Sequence, residues 1–119
     1  MNVVFESDNE FENVLVVRLE GAFEVASVER VWDAVCERLD AGTQYFLFDF
    51  SDVSIITSAG IGMLVRLLIR LQKRGGTLAV TECDEKIRGV FDIVMLGDIL
   101  HVCGSESDAR ARLRAAGAS

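Results

Sequence analysis

The chain is 119 residues long, 50% hydrophobic and 26% charged, with a formal net charge of −7. That length points to one domain over 1–119, and the apolar share excludes extensive disorder. The acidic balance argues against nucleic acid as a partner, since phosphate contacts demand a basic surface, and no apolar run reaches the roughly 18 residues of a membrane span.

Residues 2–6 and 14–19 are rich in Val and Leu and read as strands, with Ser7-Asp8-Asn9-Glu10 as the turn between them. Their closeness predicts an antiparallel hairpin. The first six residues carry no basic region and no long apolar stretch, so no secretion signal and a cytoplasmic location are expected. Gly21 breaks the second strand. Residues 26–40 hold Val28, Val31, Trp32, Val35 and Leu39 at helical spacing, closed by Ala41-Gly42. Tyr45-Phe46-Leu47-Phe48-Asp49-Phe50 is a continuous apolar run, the pattern of a central strand covered on both faces. Residues 51–58 read as a loop.

From Ala59 to Arg74 the period is helical again. Ile61, Leu64, Val65, Leu68 and Leu71 fall on one face, and Gly62, Met63, Arg66, Arg70 and Lys73 on the other. After Gly75-Gly76, residues 77–81 form a strand. Asp84 caps a helix through Met95, with Ile87, Val90, Phe91 and Val94 inward. Residues 99–102 read as a last strand. Ser105 opens a capping-box-like start (Ser-x-x-Asp) for a final helix with Ala109 and Leu113 inward. The order β-β-α-β-α-β-α-β-α predicts an α/β fold, with a mostly parallel central sheet, an N-terminal antiparallel hairpin and about four helices.

Cys36, Cys83 and Cys103 are too widely spaced for a zinc motif and odd in number, so they read as structural thiols. His101 is the sole histidine and sits in the last apolar run. Asp49 and Asp52 flank a strand end, but Glu82-Cys83-Asp84 follows the next strand where a phospho-aspartate receiver would want a lysine. Arg66, Arg70, Lys73 and Arg74 form a basic stripe on the helix, complementary to its C-terminal dipole end.

One segment carries the prospect of chemistry. Ile55-Ile56-Thr57-Ser58-Ala59-Gly60 runs from strand-loop into helix, so Thr57 or Ser58 is placed to be the N-cap. Phosphorylation there would set the new charge against free N–H groups and the positive dipole end, so the helix would survive. The change would fall on the surface, as roughly −1.5 to −2 charges facing a partner. Ala59, Gly60 and Gly62 would leave the backbone open to that partner.

In this frame the chain resembles the STAS domain family, and within it the bacterial anti-sigma factor antagonists. The carrying residues are Phe46-Leu47-Phe48-Asp49-Phe50, then Thr57-Ser58-Ala59-Gly60-Ile61-Gly62 in the place of Asp-Ser-Ser-Gly-Leu-Gly, then Arg74-Gly75-Gly76. Gly21-Ala22-Phe23-Glu24 is similar to the family's Gly-x-Leu-Asp turn. The resemblance implies a non-enzymatic module whose partners are an anti-sigma factor serine kinase and a protein serine phosphatase. It implies Ser58 as phosphoacceptor, with Thr57 as the alternative hydroxyl. It also implies a docking surface of Glu24, Thr57, Ser58, Gly60, Gly62, Met63 and Arg66. No cofactor or metal is implied, and a dimer is compatible with the sequence. Two other functions fit less of the chain. One is a STAS subunit of a transport or stressosome-like assembly, and the other a small hydrolase using Ser58, which would need His101 as base.

Overall fold

The computed structural model describes residues 1–119. Its elements are β1 (Asn2–Ser7), β2 (Val14–Phe23), α1 (Val25–Asp40), β3 (Tyr45–Ile56), α2 (Ser58–Gln72), β4 (Thr77–Thr81), α3 (Glu85–Ile93) and α4 (Glu106–Ala116). One four-stranded sheet has the order β1-β2-β3-β4. β1 runs antiparallel to β2, from Asn2 opposite Glu20 to Ser7 opposite Leu15, and β2, β3 and β4 are parallel. The hairpin, the parallel sheet and the four helices agree with the sequence pattern.

Alternation along the strands builds two cores. Val17, Leu19, Phe46, Phe48 and Phe50 face α1, α2 and α3, where they meet Val31, Val35, Leu64, Leu68 and Phe91. Val14, Val16, Tyr45, Leu47 and Ala79 face the other way, onto Ala109 and Leu113 of α4. This double cover is why 45–48 is apolar without a break. Helices α1 and α2 lie on the same face because both are crossovers between parallel neighbours, which are almost always right-handed. The predicted caps form: Asp84 accepts from the Ile87 N–H at 2.8 Å, and the Ser105 hydroxyl accepts from the Asp108 N–H at 3.1 Å. No helix is long and apolar enough to cross a membrane.

Four expectations are corrected. Residues 51–56 are strand, not loop: β3 runs on to Ile56, with Val53 opposite Gly21 and Ile56 opposite Phe23. The extension escapes the sequence pattern because β4 ends beside Asp49, so the later residues of β3 have only β2 as a neighbour and are partly exposed. Gly21 likewise does not end β2, which crosses it with shifts in register on either side. Residues 99–102 do not form a strand. His101 adopts a left-handed φ of 50°, and only Val102 bridges to Val80. Val94, expected inward, is 42% exposed just past the end of α3.

Candidate functional site

The end of the sheet at the C-termini of the parallel strands organises the candidate site. Phe23 and Ile56 are register partners at the ends of β2 and β3. The next residues, Glu24 and Thr57, are the N-caps of α1 and α2, so two helix N-termini leave the sheet side by side. Each presents first-turn N–H groups and the positive end of its dipole. The two are tied together: the Thr57 N–H donates to the Phe23 carbonyl at 3.1 Å. Glu24 is held from the other side, its N–H donating to the Ser27 hydroxyl, which in turn donates to the Ala22 carbonyl at 2.7 Å.

Close packing fixes the start of α2. A Cβ on Gly60 would stand 2.8 Å from the Phe23 carbonyl oxygen and 3.0 Å from its ring, so only glycine lets the helix approach β2 this closely. The Phe23 ring is braced edge-on against Phe50, with centroids 6.2 Å apart. Ser58, the first residue of α2, is exposed, and so is Gly62 one turn on. Thr57 behaves differently. Its side chain makes no capping bond, and its Oγ1 is closed off from solvent without a hydrogen-bond partner.

Two residues of the predicted docking surface lie elsewhere. Met63 is 1% exposed and part of the main core, and Gly60 is buried. The buried arc of α2 is wider than the 61-64-68-71 stripe, because the helix packs on the sheet with one flank and on α1 with the other. It therefore takes in Gly60, Met63 and Leu67 as well. Arg66 remains on the outer side, its guanidinium stacked 4.4 Å above the ring of Trp32, with Arg70 at 5.1 Å. Beside Ser58, a groove of about 500 Å³ opens between α1 and α2. It is lined by the apolar Val25, Val28, Trp32 and Ala59 and by the charged Glu29, Asp33 and Arg66. Val25 continues the Val28–Trp32 side of α1 by one turn but is 79% exposed, beyond the cover of the core. The sequence period does not mark this groove, since Val25 repeats the spacing of the inward residues.

The remaining reactive groups lie away from this end or are spoken for. Asp49 is buried and paired with Arg18, and accepts from the Ser51 N–H at 2.9 Å, while Asp52 is exposed. His101 places Nδ1 2.9 Å from the Leu78 carbonyl. Burial raises all three thiols; it pushes Cys83 up to about 12, against the pull of Arg88. Cys103 is buried, whereas Cys36 and Cys83 are partly exposed. No group of three His, Cys, Asp or Glu residues is arranged to hold a metal ion.

Known proteins share this architecture. The anti-sigma-B factor antagonist of Bacillus subtilis is 28% identical over 91 residues, covering 76% of this chain and 83% of that protein. An anti-sigma factor antagonist from Mycobacterium paratuberculosis superposes with a TM-score of 0.82 at 18% identity, over 95% of this chain and 93% of that one. The anti-sigma factor antagonist SpoIIAA in its unphosphorylated form gives 0.75 at 21% identity, over 94% and 97%. SpoIIAA has also been solved in its phosphorylated form, which superposes at 0.67 with 21% identity, over 93% and 100%. At these identities the superpositions establish the fold. The sequence model described as the STAS domain matches residues 7–109, from the end of β1 into α4 and across both helix N-termini, and the chain belongs to the STAS domain family.

Proposed function

We propose that this chain is an anti-sigma factor antagonist, a non-enzymatic binding module that sequesters an anti-sigma factor kinase while Ser58 is unphosphorylated. The position of one hydroxyl carries this reading. Ser58 is the exposed first residue of α2, next to Ala59 in the lining of a groove with both apolar and charged walls. Thr57, the neighbouring hydroxyl, is enclosed and out of a kinase's reach. A phosphate on Ser58 would leave α2 intact, since first-turn N–H groups and the dipole favour an anion there. It would add roughly −1.5 to −2 charges at the rim of the docking surface. That rim already carries Glu29 and Asp33, with Glu24 at the neighbouring N-cap. A partner seated on Ser58, Gly62 and Arg66 with apolar or acidic groups would be expelled. A protein serine phosphatase would restore binding. Gly60 and Met63 serve this surface from beneath, by setting how closely α2 sits on the sheet.

The relatives named as anti-sigma factor antagonists, and SpoIIAA with structures in both phosphorylation states, support the same role. A cytoplasmic location goes with it. The hydrolase alternative loses its base, because His101 lies against Leu78 near the start of β4, whereas Ser58 follows the far end of β3. The deciding experiment is titration of the anti-sigma factor kinase with Ser58→Ala and Ser58→Asp proteins. Ser58→Ala should bind as the parent does, and Ser58→Asp should lose binding by tenfold or more, about 1.4 kcal/mol. Equal affinity of the two variants would refute the switch.

A further inference from the structure

The two lateral edges of the sheet are treated differently. At β4 the edge is closed. The Val80 N–H donates to the His101 carbonyl at 3.0 Å, the Cys103 N–H donates to the Val80 carbonyl at 2.8 Å, and α4 packs alongside. At the opposite edge, β1 pairs only with β2. Exposed edge strands are ordinarily blunted by lysine, proline, a bulge or an unpaired inward charge. β1 has none of these. Its register with β2 is unbroken from Asn2 to Ser7, and its single charge, Glu6, is tied to Arg18 at 3.2 Å.

The edge carries apolar side chains on both faces. Val3 and Phe5 lie on the face covered by α1, partly buried against the main core, with the Arg38 guanidinium 4.4 Å above the Phe5 ring. Asn2, Val4 and Glu6 lie on the α4 face, where α4 packs mainly on β3 and β4 and also meets Val14 and Val16 of β2. Val4 is left 38% exposed there.

We propose that β1 is a self-pairing surface: two copies of the chain join β1 to β1 antiparallel, about a two-fold axis through Val4, and merge their sheets. An axis perpendicular to the sheet keeps each face on its own side. It sets Val4 against Val4, Val3 against Phe5 and Asn2 against Glu6. Every opposed pair between Asn2 and Glu6 is then apolar with apolar, or amide with carboxylate. Glu6 uses Oε2 for Arg18, which leaves Oε1 to accept from the Asn2 amide of the second copy. Centring on Phe5 instead sets Glu6 against Val4. Centring on Glu6 opposes two carboxylates, and centring on Val3 leaves Glu6 outside the paired span. The sequence of β1 therefore selects one register. Ser58, at the end of β3 and two strands inward, stays open in both copies. The net charge of −7 on each copy opposes association at long range, so added salt strengthens the dimer.

Sedimentation velocity on the full chain at several concentrations tests this. A dimer that grows with concentration and tightens in salt is expected. Val4→Lys, which sets two ammonium groups on the axis, should weaken it tenfold or more while the circular dichroism stays unchanged. Register is tested separately by cross-linking with oxidised glutathione. Residues directly opposed across antiparallel strands have Cβ atoms about 4.5–5.5 Å apart, close to the reach of a disulfide. Val4→Cys should give a covalent dimer above the background of the parent. Asn2→Cys alone should not, but mixed with Glu6→Cys it should. A chain that stays monomeric to about 200 µM at every salt concentration overturns the proposal, as does cross-linking of Asn2→Cys as efficient as that of Val4→Cys.

Discussion

Gly60 and Gly62 lie two positions apart in the first turns of α2, and the structure predicts opposite outcomes when each becomes alanine. At Gly62 an added Cβ meets nothing within 4 Å. The change should therefore express only the helix propensity difference, a gain of about 1 kcal/mol. At Gly60 the same methyl would stand 2.8 Å from the Phe23 carbonyl oxygen, 3.0 Å from the Phe23 ring and 3.1 Å from the Ile56 side chain. The carbonyl cannot turn aside freely, because it accepts the Thr57 N–H that joins the two helix starts. Overpacking of this kind costs about 1–3 kcal/mol, and weakening that hydrogen bond adds about 0.5–1.5 kcal/mol. The propensity gain offsets about 1 kcal/mol of this, leaving Gly60→Ala destabilised by about 2 kcal/mol. Urea unfolding with an unchanged m-value is the assay. The Gly60→Ala midpoint should fall by about 1 M and the Gly62→Ala midpoint should rise by about 0.5 M. A Gly60→Ala midpoint at or above the parent's would refute the claim that α2 is seated by that contact. Gly62→Ala carries a second readout. Its methyl lies on the exposed side of α2 near Ser58, so the more stable variant should bind the anti-sigma factor kinase more weakly.

Two further outcomes rest on polar groups. Thr57→Val replaces an enclosed, unpartnered hydroxyl by a methyl of the same shape. It should stabilise by about 1 kcal/mol in urea unfolding and leave phosphorylation of Ser58 unchanged by mass spectrometry. Asp8 bears on acid stability. Burial alone would raise its carboxyl, but Arg110 and the N–H groups of Phe11 and Glu10 together hold it below 3.8. A folded-state value below the unfolded one gives stability that is complete above about pH 4 and is lost as pH falls through the folded value. Urea midpoints of Asp8→Asn and parent should therefore differ most at pH 7 and converge toward pH 3. A difference that grows on acidification would reverse the assigned sign.

The order of elements was legible in the sequence because it depends on local periodicity and end signals. Asp84 and Ser105 cap the helices they precede, and the nearly continuous apolar runs of 14–19 and 45–50 mark strands with two covered faces. The last apolar run misled, since Ile99-Leu100-His101-Val102 has strand composition but a left-handed residue in its middle. The candidate acceptor was also legible, as a serine where strand passes into helix.

What the sequence by itself determined is therefore the four helices, the positions and order of the first four strands, and the place of Ser58 at a helix start. Those properties follow from neighbours within one or two turns of chain. Tertiary structure alone decided which of two adjacent hydroxyls faces solvent. Phe23, distant in sequence, seats Gly60 and holds the Thr57 backbone, and packing at that junction encloses one hydroxyl and leaves the other outside. It also decided that Met63 belongs to the core, because α2 is covered on two flanks at once, and a single helical period cannot report a second covering surface.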